Sequence, residues 1–76
     1  MHDQPDLALA EIIKQLREDR EITQEQLAFE AGITASALSR IERGLNNPGW
    51  MTVRRLAGAL KVNLVQLAKE VERTAR

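Results

Sequence analysis

Apolar residues in this chain recur at helical spacing almost throughout. Leu9, Ile13 and Leu16 stand at i, i+4 and i+7, which predicts a first helix from about Asp6 to Asp19. Thr23 then sits where an N-cap belongs. Its hydroxyl can accept from the backbone two or three residues on, and Gln26 completes a capping-box pattern. The second helix, about 24–31, buries Leu27, Ala28 and Ala31 and stops at Gly32, because glycine takes the left-handed conformation cheaply. Ile33 is an apolar plug between two helices, and Thr34 is a second cap. The third helix covers about 35–43. "LNNPGW" is a loop broken at Asn47-Pro48. A fourth helix from about Trp50 to Leu60 buries Val53, Leu56, Ala57 and Leu60. After Lys61-Val62, Asn63 caps a fifth, with Leu64, Leu67, Ala68 and Val71 as its apolar stripe. Aromatics are few and only two residues are proline, so a sheet is hard to argue. The chain reads as all-α: a five-helix bundle in one domain, residues 6–76, behind a flexible N-terminus at residues 1–5.

The third helix has two unlike sides. At about 100° per residue, Ala35, Ser36, Ser39, Arg40 and Arg43 share an arc of roughly 140°. Ala37, Leu38 and Ile41 lie opposite and read as core. The first arc is low in bulk for a solvated surface: two serines and an alanine, then two arginines. Small side chains let a backbone approach something closely. Arginine carries a planar fork of donors that matches O6 and N7 of guanine, or a phosphate. A plain solvated face is the alternative reading of this stretch taken alone.

Composition narrows the classes. With 76 residues the chain makes one small domain that buries a modest share of its surface. It has no cysteine and its only histidine is His2. Disulfides are thus excluded, no metal site is expected, and a partner chain is the remaining aid to stability. With no cysteine, no tyrosine and no histidine inside the fold, and acids that form no convergent pair, an enzyme is not expected and no cofactor is implied. No apolar run approaches a membrane span. A cysteine-free chain fits a reducing cytoplasm. Net charge is zero, yet its distribution is uneven. Residues 1–33 hold three basic and eight acidic side chains (−5), residues 34–49 two against one (+1), and residues 50–76 six against two (+4). A positive patch therefore remains available to a polyanion.

The order of motifs settles what the arc resembles. A helix, a short glycine-containing turn and a second helix make the helix-turn-helix unit. In "TQEQLAFEAGITASALSRIERG" the small and apolar residues fall where two such helices cross. Together with Leu16-Arg17, Pro48, Thr52-Val53, Leu56-Ala57 and Ala59-Leu60, this series resembles the Cro/C1-type, XRE-like helix-turn-helix family, with its lambda-repressor-like domain. The resemblance spans about Leu9 to Leu67. It implies a sequence-specific transcriptional regulator, a repressor or autoregulator, that binds double-stranded DNA at a palindromic operator as a homodimer. Carried across residue by residue, it implies base contacts from Ala35, Ser36, Ser39 and Arg40. It implies phosphate contacts from Gln24, Thr34, Arg43, Asn46 and Asn47, and a structural pair between Arg17 and Glu42.

The family also contains antitoxins, so a module that clasps a protein partner, a toxin or a co-regulator, is the alternative. No small-molecule ligand is expected, since no effector domain follows the fifth helix. The apolar excess of that helix points to a dimer interface through Val65 and Val71. Trp50 reads as core or loop packing, with a DNA or ligand contact as the alternative; Phe29 reads as a partly exposed lid on the small core, with a partner surface as the alternative. Lys69, Arg73 and Arg76 suit the negative end of the last helix. One departure stands out. Where the family favours glycine or asparagine between the first two helices, this chain has Glu21.

Overall fold

Side-chain caps set where the helices begin. In the computed structural model, which describes residues 6–75, α1 spans Leu7–Asp19, α2 Gln24–Ala31, α3 Ala35–Glu42, α4 Trp50–Ala59 and α5 Leu64–Thr74. The expected N-terminal tail, residues 1–5, and Arg76 lie outside the described residues. The Asp6 carboxylate accepts from the Leu9 N–H at 3.0 Å. Thr23 and Gln26 form the full capping box: the Thr23 hydroxyl accepts from Gln26 N–H at 3.0 Å and the Gln26 side-chain oxygen from Thr23 N–H at 2.8 Å. Thr34 accepts from Ala37 N–H, and Asn63 with Gln66 repeats the box at α5. Gly49 precedes α4 without a side-chain cap, so that start depends on tertiary packing. Each side-chain cap contributes about 1 kcal/mol.

The first four helices share one way of ending. After each comes a residue with positive φ: Glu21 (57°), Gly32 (74°), Gly44 (73°) and Lys61 (63°). Its N–H and the next one turn back onto the helix carbonyls, as in Glu21 N–H to Glu18 O and Ile22 N–H to Arg17 O. The residue that follows is apolar every time: Ile22, Ile33, Leu45 and Val62. Ile22, Ile33 and Val62 pack on the core; Leu45 remains half exposed. Glu21 therefore does adopt the left-handed conformation that its place demands, and Lys61 does the same. For a residue with a Cβ this costs roughly 1–2 kcal/mol. Burial of Ile22 and Val62, each worth about 1.5–3 kcal/mol if complete, offsets it.

The core has two parts. Ile13, Leu27, Leu38, Leu56 and Leu60 are fully buried and centre the larger, joined by Ala28, Ala31 and Ile41. Ile12, Ala57 and Leu67 form the smaller. Adjacent residues of α1 enter both, so α1 is the element that ties α5 to the helix-turn-helix. Helix α2 lies against α3 and α4, and α1 against α3 and α5. Four expected core members depart from this, Leu64 and Val71 of α5 being half-buried. Ala68 is exposed and Val53 only half-buried, because α5 rests on α1 more than on α4.

Candidate nucleic-acid interface

Helix α3 presents the face that its sequence promised, with one change at its edge. Leu38 and Ile41 are buried beneath it. Ser36, Arg40 and Arg43 are exposed and Ser39 is half-buried. Ala35 is half-buried against the larger core, since it borders the buried Leu38–Glu42 side of the helix. The three-residue turn Gly32, Ile33 and Thr34 separates α2 from α3. Thr34 caps α3 and keeps a hydroxyl proton to donate outward. The first turn of α3 thus offers small side chains and free backbone N–H groups, and its last turn two guanidinium groups.

Behind this face lies a buried polar cluster. The Glu42 side chain is only 2% exposed and that of Arg17 13%. Arg17 Nε donates to Glu42 Oε2 at 2.8 Å and Nη2 to Oε1 at 3.1 Å. Its Nη1 donates to the Ile22 carbonyl at 2.9 Å. The hydrogen bond to Glu42 holds the Arg17 pKa above its usual range, against the opposing effect of burial. The expected pair is therefore present and bidentate. It also has a third member that the sequence did not announce. Gln24 Nε2 donates to Glu42 Oε1 at 2.9 Å. Gln24 is the first residue of α2, so one carboxylate on α3 fixes α1 and the start of α2 together. The second N–H of Gln24 Nε2 has no partner among the described hydrogen bonds.

The loop after α3 is drawn back onto the domain. Gly44, with φ at 73°, lets Leu45 N–H reach the Arg40 carbonyl at 2.9 Å. Asn46 then lies beside the Arg40 side chain. With its amide oriented to satisfy both ends, Asn46 Oδ1 accepts from Arg40 Nε at 3.0 Å and Nδ2 donates to Leu45 O at 2.8 Å. The amide oxygen of Asn47 accepts from the Asp6 N–H and so staples the loop to the start of α1. Both asparagines, read from the sequence as backbone contacts, thus have partners within the protein.

A sequence model of the helix-turn-helix family matches residues 13–67. The chain belongs to the Cro/C1-type, XRE-like helix-turn-helix family. Among members of this family, the chain is similar to the immunity repressor protein of Bacillus phage phi105, 36% identical over 64 residues, covering 84% of this chain and 44% of that one. It is similar also to the HTH-type transcriptional repressor RghR of Bacillus subtilis, 41% identical over 56 residues, covering 72% and 42%. It spans less than half the length of these two relatives. In fold it resembles the restriction-modification controller protein C.Esp1396I, with a TM-score of 0.87 at 23% identity over 92% of this chain and 90% of that one. A variant of that controller bound to its operator site OM superposes with a TM-score of 0.86, at 23% identity and 91% coverage of each chain.

The helix-turn-helix thus accounts for α2 and α3, and the residues outside it divide. Val65 is 64% exposed on α5. Val71 is half-buried and packs on Ile12, Ala57 and Leu67, so only one edge of it faces out. Trp50 corrects the sequence reading. It is 66% exposed, at the rim of an apolar groove lined by Leu9, Val53, Leu64, Leu67, Ala68 and Val71. Phe29 at 87% exposure covers nothing, which overturns the lid and leaves its alternative, a partner surface. Leu27, Ala28 and Ala31 already fill the crossing that α2 makes with α3, and Phe29 points away from it. Arg73 pairs with Glu70 one turn earlier at 2.9 Å.

Proposed function

We infer that this chain is a sequence-specific DNA-binding transcriptional regulator that lays α3 in the major groove of double-stranded DNA. The observation that carries this reading is the exposed face of α3, small at its first turn and doubly arginine-bearing at its last, braced from behind by Glu42. Arg40 reads a base edge, with guanine the best match to its fork. Ser36 and Ser39 make short contacts, and Ala35 offers a methyl to a thymine. Gln24, Thr34 and Arg43 hold phosphates on either side, which fixes the register of the reader. Direct reading is sparse, so DNA shape supplies part of the preference. The names of the phi105 repressor and RghR favour repression or autoregulation over activation. DNA as partner implies a cytoplasmic protein.

One short helix touches too few base pairs to define a site. A homodimer on a palindrome answers this, with half-sites about one helical turn, roughly 34 Å, apart. The surface best suited to the second copy is α5, through Val65, Ala68 and the outer edge of Val71, with Trp50 at the rim of the groove. A second reading, a module that clasps a protein partner such as a toxin or co-regulator, draws on Phe29, whose ring on α2 is 87% exposed. Selection of bound sequences from a random pool of duplex DNA tests the main reading. Enrichment of a palindrome supports it; a pool that stays random through successive rounds contradicts it.

A further inference from the structure

The geometry points to Asn46 as a positioning residue for Arg40, a side chain that fixes the guanidinium of the base reader before DNA arrives. This rests on the DNA reading above. The chain of cause begins at Gly44. Its left-handed φ of 73° turns the backbone so that Leu45 N–H bonds the Arg40 carbonyl, which places the next side chain, Asn46, against Arg40. The Asn46 amide is then engaged at both ends. In the amide orientation that satisfies both groups, its oxygen accepts from Arg40 Nε at 3.0 Å and its nitrogen donates to Leu45 O at 2.8 Å.

An arginine has five N–H donors in a plane. Holding Nε from one side leaves the four N–H groups of Nη1 and Nη2, the end-on fork that spans O6 and N7 of a guanine. It also removes rotamer freedom that an exposed arginine would otherwise lose on binding. Arg43, one turn later on the same face, has no such support among the described hydrogen bonds, which suits a contact to phosphate rather than to a base. Asn46 therefore contributes to specificity without touching DNA.

The test compares wild type, Arg40→Ala, Asn46→Ala and the double variant on the selected site and its single-base variants. Asn46→Ala is expected to cut the preference for the base read by Arg40 roughly three- to tenfold, the range for losing one exposed hydrogen bond of ordinary strength, and to leave preferences elsewhere unchanged. In the Arg40→Ala background it should add nothing at that position. In the free protein, the Arg40 Nε–H resonance should exchange slowly with water and become fast in Asn46→Ala. If Asn46→Ala weakens all variants by the same factor, Asn46 is a phosphate contact and the proposal is wrong. An unchanged base preference overturns it equally. If Arg40→Ala itself relaxes no position, the reading of Arg40 as base reader fails, and the proposal falls with it.

Discussion

Replacing Glu42 with alanine removes the acceptor of three side-chain hydrogen bonds, two from Arg17 and one from Gln24. Arg17 stays behind with a side chain 13% exposed and the Ile22 carbonyl as its remaining hydrogen-bond acceptor. An uncompensated buried charge of this kind costs about 3–5 kcal/mol. A 76-residue domain has roughly 4–11 kcal/mol to lose, so the variant should be close to half unfolded at modest urea concentrations. Even a 3 kcal/mol loss lowers the melting temperature by roughly 12–24 °C for a domain of this size. Arg17→Ala should cost a similar amount, since it strands a carboxylate that is 2% exposed. The double variant should cost less than the sum of the two by about 2 kcal/mol or more, because no stranded charge remains. Urea unfolding followed by far-ultraviolet circular dichroism measures all three, and is a better probe than the fluorescence of the exposed Trp50. Additive losses, or single losses below about 1 kcal/mol, would refute the argument.

Glu21→Gly should stabilise the protein by about 0.5–1 kcal/mol in the same unfolding assay: it removes the left-handed penalty at φ 57° and loses part of that gain to the freer unfolded chain. Gly44→Ala should destabilise by about 1–2 kcal/mol through its φ of 73°, and its Cβ would lie 2.6 Å from Leu7 Cδ2; an unchanged melting temperature would deny the turn its strain. Val65→Glu should shift sedimentation toward the monomer and weaken binding to a palindrome, while leaving half-site binding intact. A wild type that stays monomeric at tens of micromolar and prefers no palindrome would remove α5 from the account.

The helix starts were legible because a cap is a local event: Thr23, Thr34 and Asn63 each bond a backbone group three residues away. The α3 face was legible for a similar reason, since helical period alone separates Leu38 and Ile41 from Ser36 and Arg40. Two helix ends were harder. Glu21 and Lys61 are poor choices for a left-handed turn, yet the apolar residues after them, Ile22 and Val62, stand in the same relation as Ile33 does to Gly32. That repeated pairing was the available signal. The partners of Gln24, Asn46 and Asn47 were not legible, because they depend on which rotamers meet after distant segments pack. Phe29 misled for a different reason. An aromatic residue next to a core position on a helix need not be buried when smaller residues already fill the crossing.

The most direct test of the central claim, that α3 reads DNA through Arg40, is a binding titration of wild type, Arg40→Ala and Arg43→Ala on every single-base variant of the selected operator. Arg40→Ala should cost about 1–3 kcal/mol on the cognate site and erase the preference at one position per half-site, whereas Arg43→Ala should weaken all variants alike and lower the salt dependence by about one unit of slope. A uniform loss across all variants from Arg40→Ala would contradict the account.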